Sequence, residues 1–407
     1  MDNFIYTDEL SPGSPFFRPE GFYIYSRLIR FLRKEYALGN YQEIMSPDIW
    51  KSKLWMISGH YENYKDNMFF IEDSEKSNEE QLSIRCMNCP SHCRLFASKP
   101  KHHSELPLRY SEFGTLHRNE LEGSLRGLFR VRKFRQDDAH IFCSRSHISQ
   151  EIESFLMLLD KIYSLFGFKY SLELSTRPEK SIGSDELWEE AEHVLKYELD
   201  KFCVLKNKEW KLEKGEGAFY GPKIDVHLQD SLGRNHQCGT IQLDFNLPER
   251  FDLWYIDSQN EKKRPVILHR AVLGSLERFM GILFDNFKVS PNLIKMPFWL
   301  SKRQFLICSL YKKNVTPEVS ASIKDYVMKF KQELLNSNWE INVDCDVSDT
   351  HIKKKLKDGW LSGYHYILVV GPKEVDNQTI AINGGGNIDY DKRLEDVINI
   401  YNNSNLI

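Results

Sequence analysis

Between Gly21 and Leu38 the apolar side chains Tyr25, Leu28, Ile29, Leu32 and Tyr36 return at intervals of three and four, and Gly39-Asn40 follows. That spacing predicts an amphipathic helix that buries one stripe and stops at the glycine. The same pattern gives a second helix from about Ile148 to Phe166, on Ile148, Ile152, Phe155, Leu159, Ile162 and Phe166, with Gly167 as its stop. A third follows Ser184, a residue type suited to an N-cap, and carries Leu187, Ala191, Val194 and Leu195. Further on the period shortens to two. Ile224, Val226 and Leu228 alternate with Asp225 and His227, and after Ser231-Leu232-Gly233-Arg234 the residues Ile241, Leu243 and Phe245 alternate with Gln242 and Asp244. This predicts an antiparallel pair joined by a turn. Its polar side collects Gln237, Gln242 and Asp244, which suits either a solvated face or the floor of a polar pocket.

The stretch from Val289 to Arg303, with Ser290-Pro291 and Met296-Pro297, reads as an interdomain linker. Beyond it, strand patterns at 305–310, 341–347, 366–370 and 379–382 alternate with helix patterns at 323–335, 352–361 and 394–401. Strands alternating with helices predict a small α/β domain with a mostly parallel sheet. The expected fold class is therefore α+β: a large domain over 1–297 built on an antiparallel sheet flanked by helices, then a compact α/β domain over 298–407. Glu72 to Glu80 reads as a polar loop, and no tandem repeat is present.

Composition narrows the partners. In 407 residues, 55 Lys and Arg face 58 Asp and Glu for a net charge of −3, which excludes a uniformly basic nucleic-acid coat and leaves only local basic patches. No apolar run approaches the ~18 residues of a membrane span, and Met1-Asp2-Asn3-Phe4 is not a basic leader, so a cytoplasmic setting without membrane contact is expected. The eight cysteines are too sparse for a disulfide framework and read as reduced thiols open to metals.

One such patch lies between Arg109 and Arg135, where seven basic residues face Glu112, Glu120 and Glu122 around Gly123, Ser124 and Gly127. Arginines leaving a sheet beside a glycine-containing loop can grip a polyphosphate, because guanidinium pairs bidentately with phosphate oxygens; the alternative is a solvated basic hairpin. A strand over Pro265 to Arg270 then runs into Gly274-Ser275, which are expected to start a helix with Arg278 in its first turn, where a cation opposes the helix dipole unless an anion is bound there. The metal candidate is Cys86-Met87-Asn88-Cys89-Pro90-Ser91-His92-Cys93. There is no second Cys-x-x-Cys for a closed structural zinc, but an open zinc site needs only three ligands, and His140 and His269 are suitable distant donors. Spacing alone leaves Cys86, Cys89, His92 and Cys93 as alternatives, along with buried thiols that bind nothing.

Pro47 after the first helix, then Phe113-Gly-Thr-Leu-His-Arg118-Asn-Glu120 with Phe129-Arg130-Val-Arg-Lys-Phe134, then Gly274-Ser-Leu-Glu-Arg278-Phe279, resemble motifs 1, 2 and 3 of class II aminoacyl-tRNA synthetases. Within that class Met87-Asn-Cys89-Pro90, Arg135-Gln136-Asp-Asp138-Ala-His140, Ser175-Thr-Arg-Pro-Glu-Lys180, Gly217-Ala-Phe-Tyr220-Gly-Pro-Lys223 and Gln237-Cys-Gly-Thr240-Ile-Gln242 resemble the threonyl-tRNA synthetases, from about Ser11 onward. The resemblance implies a seven-stranded antiparallel catalytic domain that forms a homodimer through motif 1, followed by an anticodon-binding domain. It implies ligation of L-threonine to threonine tRNA through a threonyl-adenylate, with ATP, Mg²⁺ and one Zn²⁺ per subunit on Cys89, His140 and His269. Arg118 would bridge the α-phosphate and the amino-acid carboxylate, Glu120 and Phe134 would meet adenine, Gln237 and Thr240 the ribose, and Arg130 and Arg278 the γ-phosphate. Met87, Gln136, Asp138, Tyr220, Lys223 and Gln242 would surround threonine. His60 matches the histidine that acts on the terminal adenosine of tRNA, and is expected to titrate near neutrality. Glu374, in Gly371-Pro-Lys-Glu374, fits the anticodon-reading pattern. The chain departs from the family at Ser91, usually glycine, and at Asn383-Gly-Gly-Gly-Asn387, usually arginine-rich; residues 298–407 hold fourteen basic and fourteen acidic side chains. The family's N-terminal regulatory and editing domains are expected to be missing, so serine attached to the tRNA would accumulate.

Overall fold

The computed structural model describes residues 4–291, 293–311, 316–386 and 388–406. Met1 to Asn3 of the acidic start, Asn292 of the linker and Asn387 of the glycine run lie outside the described residues. The chain divides into two compact units, one of residues 5–16 and 32–286, the other of residues 1–4, 17–31 and 287–407. The first helix, α1 (Pro19–Leu38), contributes to both.

In the larger unit the main sheet is built from β1 (Gln42–Glu43), β2 (Leu108–Glu112), β3 (Thr115–His117), β4 (Lys133–Cys143), β5 (Tyr170–Ser175), β6 (Trp210–Glu213), β7 (Lys223–Gln229), β8 (Asn235–Asp244) and β9 (Val266–Ser275). Among the described residues they form one nine-stranded sheet in the order β6-β5-β7-β8-β9-β4-β2-β1, with β3 paired to β4. The six strands from β5 to β2 are antiparallel to their neighbours, as expected. With β3 antiparallel to β4, seven strands carry antiparallel pairings, the number expected, and two parallel pairings at the edges, β5 with β6 and β1 with β2, extend the sheet to nine. Helices α2 (Cys89–Ala97), α3 (Ile148–Leu165), α4 (Asp185–Lys206) and α5 (Leu276–Asn286) accompany it. Helix α3 buries the stripe Ile148, Ile152, Phe155, Leu159 and Ile162, so the three-and-four spacing did mark a core face. The β7–β8 pair follows the predicted alternation, with Ile224 opposite Ile241 and both fully buried.

The smaller unit is built on β10 (Phe305–Ser309), β11 (Val343–Asp346), β12 (Tyr366–Val370), β13 (Ile380–Asn383) and β14 (Ile388–Lys392), in the order β11-β10-β12-β13-β14. Its helices are α6 (Pro317–Ser337), α7 (Ile352–Leu361), α8 (Pro372–Asn377) and α9 (Leu394–Ser404). Only the β11–β10–β12 half is parallel; β13 and β14 add antiparallel pairs, which corrects the expectation of a mostly parallel sheet. Strand β14, Ile-Asp-Tyr-Asp-Lys, is exposed or partly exposed throughout, so its short alternation marks no buried face. Its core holds Phe305, Ile307, Ile323, Val327, Phe330, Leu368 and Val397.

Candidate active site

Neighbouring strands carry the two distant metal donors. His140 on β4 stands in register with His269 on β9, their rings 4.7 Å apart between centroids and nearly perpendicular. Cys89 opens α2, and the ligand atoms of Cys89, His140 and His269, all buried, lie within 4.8 Å of one another. Cys86 and Cys93 are also buried but stand outside this cluster. Each imidazole is fixed by a hydrogen bond at one ring nitrogen. His269 Nε2 bonds Asp244 Oδ2 at 2.8 Å; His140 Nδ1 bonds His92 Nδ1 at 2.9 Å, and His92 Nε2 bonds Glu112 Oε2 at 3.0 Å. His92, a possible ligand by sequence, is thus the group that orients one. Burial holds the His140 pKa well below the usual value, so its ring is neutral, and burial raises the Cys89 thiol, which a bound cation must offset. A sulfur and two imidazole nitrogens, each ring held by a hydrogen-bond partner, are a donor set that fits Zn²⁺ with a coordination position open.

The arginines gather beside the same sheet. The Arg118 guanidinium lies over the Phe134 ring at 4.9 Å and the Tyr64 ring at 5.7 Å, and its Nε is buried without a hydrogen-bond partner among the described residues. Arg278, on the first turn of α5, donates from Nη1 to Gln237 O at 2.7 Å and from Nε to Phe129 O at 3.1 Å. Burial first, and then Arg118 and Arg130, hold its pKa below the usual arginine range. Two cations close enough to depress a third call for an anion. Arg130 and Glu120, assigned by resemblance to opposite ends of ATP, here pair with each other at 2.7 Å. Gly274 and Ser275 end β9 rather than opening α5, which starts at Leu276.

Asp225 organises the floor between them. It accepts from Gln237 Nε2 at 2.6 Å, Thr240 Oγ1 at 3.0 Å and Ser175 Oγ at 3.1 Å, and pairs with Lys223 Nζ at 2.6 Å. Gln237 and Gln242 are an odd number of residues apart, so strict alternation would put them on opposite faces. A shift of register beside Val226 and His227 brings Gln237 round to join Thr240 at Asp225. Tyr220 donates to Gln242 Oε1 at 2.5 Å, and Asn88 donates to Asp138 Oδ2 at 2.8 Å. Burial raises the Asp138 pKa to about 7. Met87 and Gln136 are half-buried beside these residues in the chain. Sequence reasoning missed Asp225 as a hub; its place on the polar side of β7, opposite Thr240, was the available signal.

His60 is fully buried, bonds Ser58 Oγ through Nδ1 at 2.7 Å and lies 3.8 Å from Cys89 Sγ. The expected near-neutral titration is not found: burial first, then His269, Arg118 and Arg250, lower its pKa to about 3. In the smaller unit, Glu374 accepts from Gly371 N at 2.9 Å and so caps α8. At the other end of β12, Phe298, Trp360, Tyr366, Asn383 and Gly384–Gly386 line a cavity of about 740 Å³.

Residues 69–287 match the tRNA synthetase class II core domain (G, H, P, S and T), and residues 304–387 match the anticodon binding domain. The chain belongs to the class II aminoacyl-tRNA synthetases. Among relatives of this synthetase, cytoplasmic threonine–tRNA ligase 1 of Rattus norvegicus is 47% identical over 375 residues, 92% of this chain and 51% of the relative. The chain thus spans about half the length of the curated relatives it matches. The crystal structure of the RNA binding domain of threonyl-tRNA synthetase from Cryptosporidium parvum Iowa II is 39% identical, covers 99% of this chain and 96% of its own, and superposes with a TM-score of 0.88. Prolyl-tRNA synthetase of Giardia lamblia, solved with prolyl-adenylate, shares the fold at a TM-score of 0.72 and 17% identity, covering 97% of this chain and 73% of its own. No helix among the described residues is long and apolar enough to cross a membrane.

Proposed function

We propose that this synthetase ligates L-threonine to threonine tRNA through a threonyl-adenylate. The observation that carries the reading is the Cys89, His140 and His269 cluster in the same unit as Arg118, in a chain whose relatives are threonine–tRNA ligases. In activation, a carboxylate oxygen of the amino acid bonds the α-phosphorus as the bond to pyrophosphate breaks, an in-line displacement that needs positioning and charge neutralisation. Arg118 would bridge carboxylate and α-phosphate; its unpartnered buried Nε supports an anion there. Arg278 and Arg130 would hold the γ-phosphate with Mg²⁺, Glu120 and Phe134 would meet adenine, and the Arg130–Glu120 pair would open as ATP enters. Gln237 and Thr240 would take the ribose. Zn²⁺ held by Cys89, His140 and His269 would supply a Lewis acid able to accept both the amino group and the hydroxyl of threonine.

Met87, Gln136, Asp138, Tyr220, Lys223 and Gln242 would orient the amino acid. A site built for a hydroxyl rejects valine strongly, whereas serine loses only a methyl contact. For transfer, His60 would act on the terminal ribose of tRNA, while the smaller unit, through Glu374 and the aromatic cavity beside Asn383, would take the anticodon. A cleft lined by Ser46, Pro47, Asp48, Arg85 and Phe113, with Met45 exposed beside it, supports homodimerisation through motif 1. A cytoplasmic location is inferred from the named relatives. Incubation with ATP, Mg²⁺, tRNA and labelled threonine is expected to give threonyl-tRNA; esterification of a different amino acid instead would refute the reading.

A further inference from the structure

Where β4 meets β9 the ladder breaks. Ala271 pairs with Asp138 and Ser275 with Gln136, so Val272, Leu273 and Gly274 all stand opposite the single residue Asp137. Three buried N–H groups thereby lose their strand partners, and orphaned donors of that kind are costly. The Asp137 carboxylate takes all three, at 2.8 Å from Val272 N, 3.0 Å from Leu273 N and 2.8 Å from Gly274 N. It also accepts from the Tyr36 hydroxyl and is itself fully buried. The Arg270 guanidinium, stacked on the Tyr36 ring at 3.9 Å, supplies the opposing charge. Gly274 has φ +69°, and a Cβ there would meet Cys238 O at 2.2 Å, so the turn out of the sheet has no slack. The chain then enters α5, where Arg278 N bonds Ser275 Oγ at 3.3 Å.

We propose that Asp137 is a positioning residue for the nucleotide: by holding the bulge Val272–Gly274 it sets the direction in which α5 leaves the sheet, and so the place of Arg278. The inference rests on the reading of Arg278 as a phosphate-binding group. A carboxylate is expensive to bury even with an opposing charge, and a regular ladder would have satisfied the same backbone without one. The neighbouring Asp138 bonds Asn88 instead, so a change at Asp137 should be felt on the nucleotide side and spare the amino-acid side.

The test is ATP–pyrophosphate exchange by the full chain carrying Asp137→Asn, Arg278→Ala or both. Exchange by the unmodified chain with threonine is the control that tests the proposed function by itself. Asp137→Asn is expected to lower kcat/KM for ATP about 10- to 100-fold and leave the KM for threonine within about twofold. In the Arg278→Ala background the same substitution should cost less than about threefold, because the group it acts through is gone. Equal losses in both backgrounds, parallel changes in the two KM values, or unchanged ATP kinetics would overturn the proposal. If Asp137→Asn does not fold, Tyr36→Phe, which removes one donor to the same carboxylate, is carried through the same cycle with the same outcomes.

Discussion

At the scale of single residues, the metal cluster makes a sharp distinction among three nearby thiols. Cys86, Cys89 and Cys93 are all buried, and burial raises all three thiols, Cys86 to about 12, yet only Cys89 comes within 4.8 Å of both His140 and His269. Cys89→Ser is therefore expected to lose bound zinc, while Cys86→Ser and Cys93→Ser keep about one equivalent per chain, as a three-ligand open site requires. Metal analysis showing full occupancy in Cys89→Ser would assign the site to another thiol. Arg118→Ala should abolish adenylate formation, since it removes charge at the reacting phosphorus rather than packing. His60→Ala should spare adenylate formation and slow transfer to tRNA, read in single turnovers from preformed adenylate. His60 also marks a limit of sequence reading: its type and motif were legible, but its loss of solvent, set by Trp55, Phe219 and Tyr220 around the ring, was not.

Among elements, α2, β2 and β4 are joined by one buried polar chain, from His140 through His92 and Glu112 to Arg85, which pairs with Glu112 at 2.7 Å. Burial alone would raise the Glu112 carboxyl, but hydrogen bonds from His92 and Ser46 and the charge of Arg85 outweigh it and bring its pKa to about 2 from an ordinary 4.5. A carboxylate lowered on folding stabilises the fold fully above pH ~4.5 and loses that contribution as pH falls through about 2, up to about 3 kcal/mol. Glu112→Gln should thus be less stable at neutral pH and show a flatter acid limb between pH 4.5 and 2 in denaturant titrations; an unchanged acid limb would contradict the pairing. Periodicity made α1, α3, α4 and the β7–β8 pair legible because each buries one regular face. It missed what breaks the period: the shift beside Val226 that turns Gln237 inward, the bulge at Val272–Gly274, and β14, which has no buried face.

For the whole molecule, the alternation of strands and helices beyond Phe305 was legible as a second unit, while the assignment of residues 17–31 to that unit was not, because helix spacing reports a buried face and not its partner. The site is distributed over segments from His60 to Arg278, and only the fold brings them to one sheet. The sequence carried the residue types and pointed to Asp244 on the polar face; it did not show Asp137 and Asp225 as organising carboxylates. The central claim, activation of threonine at this sheet, is tested most directly by ATP–pyrophosphate exchange with each of the twenty amino acids in turn. Exchange should be strongest with threonine, weaker with serine by about 10- to 200-fold, and far weaker with valine. Exchange driven best by another amino acid, or by none, would contradict it.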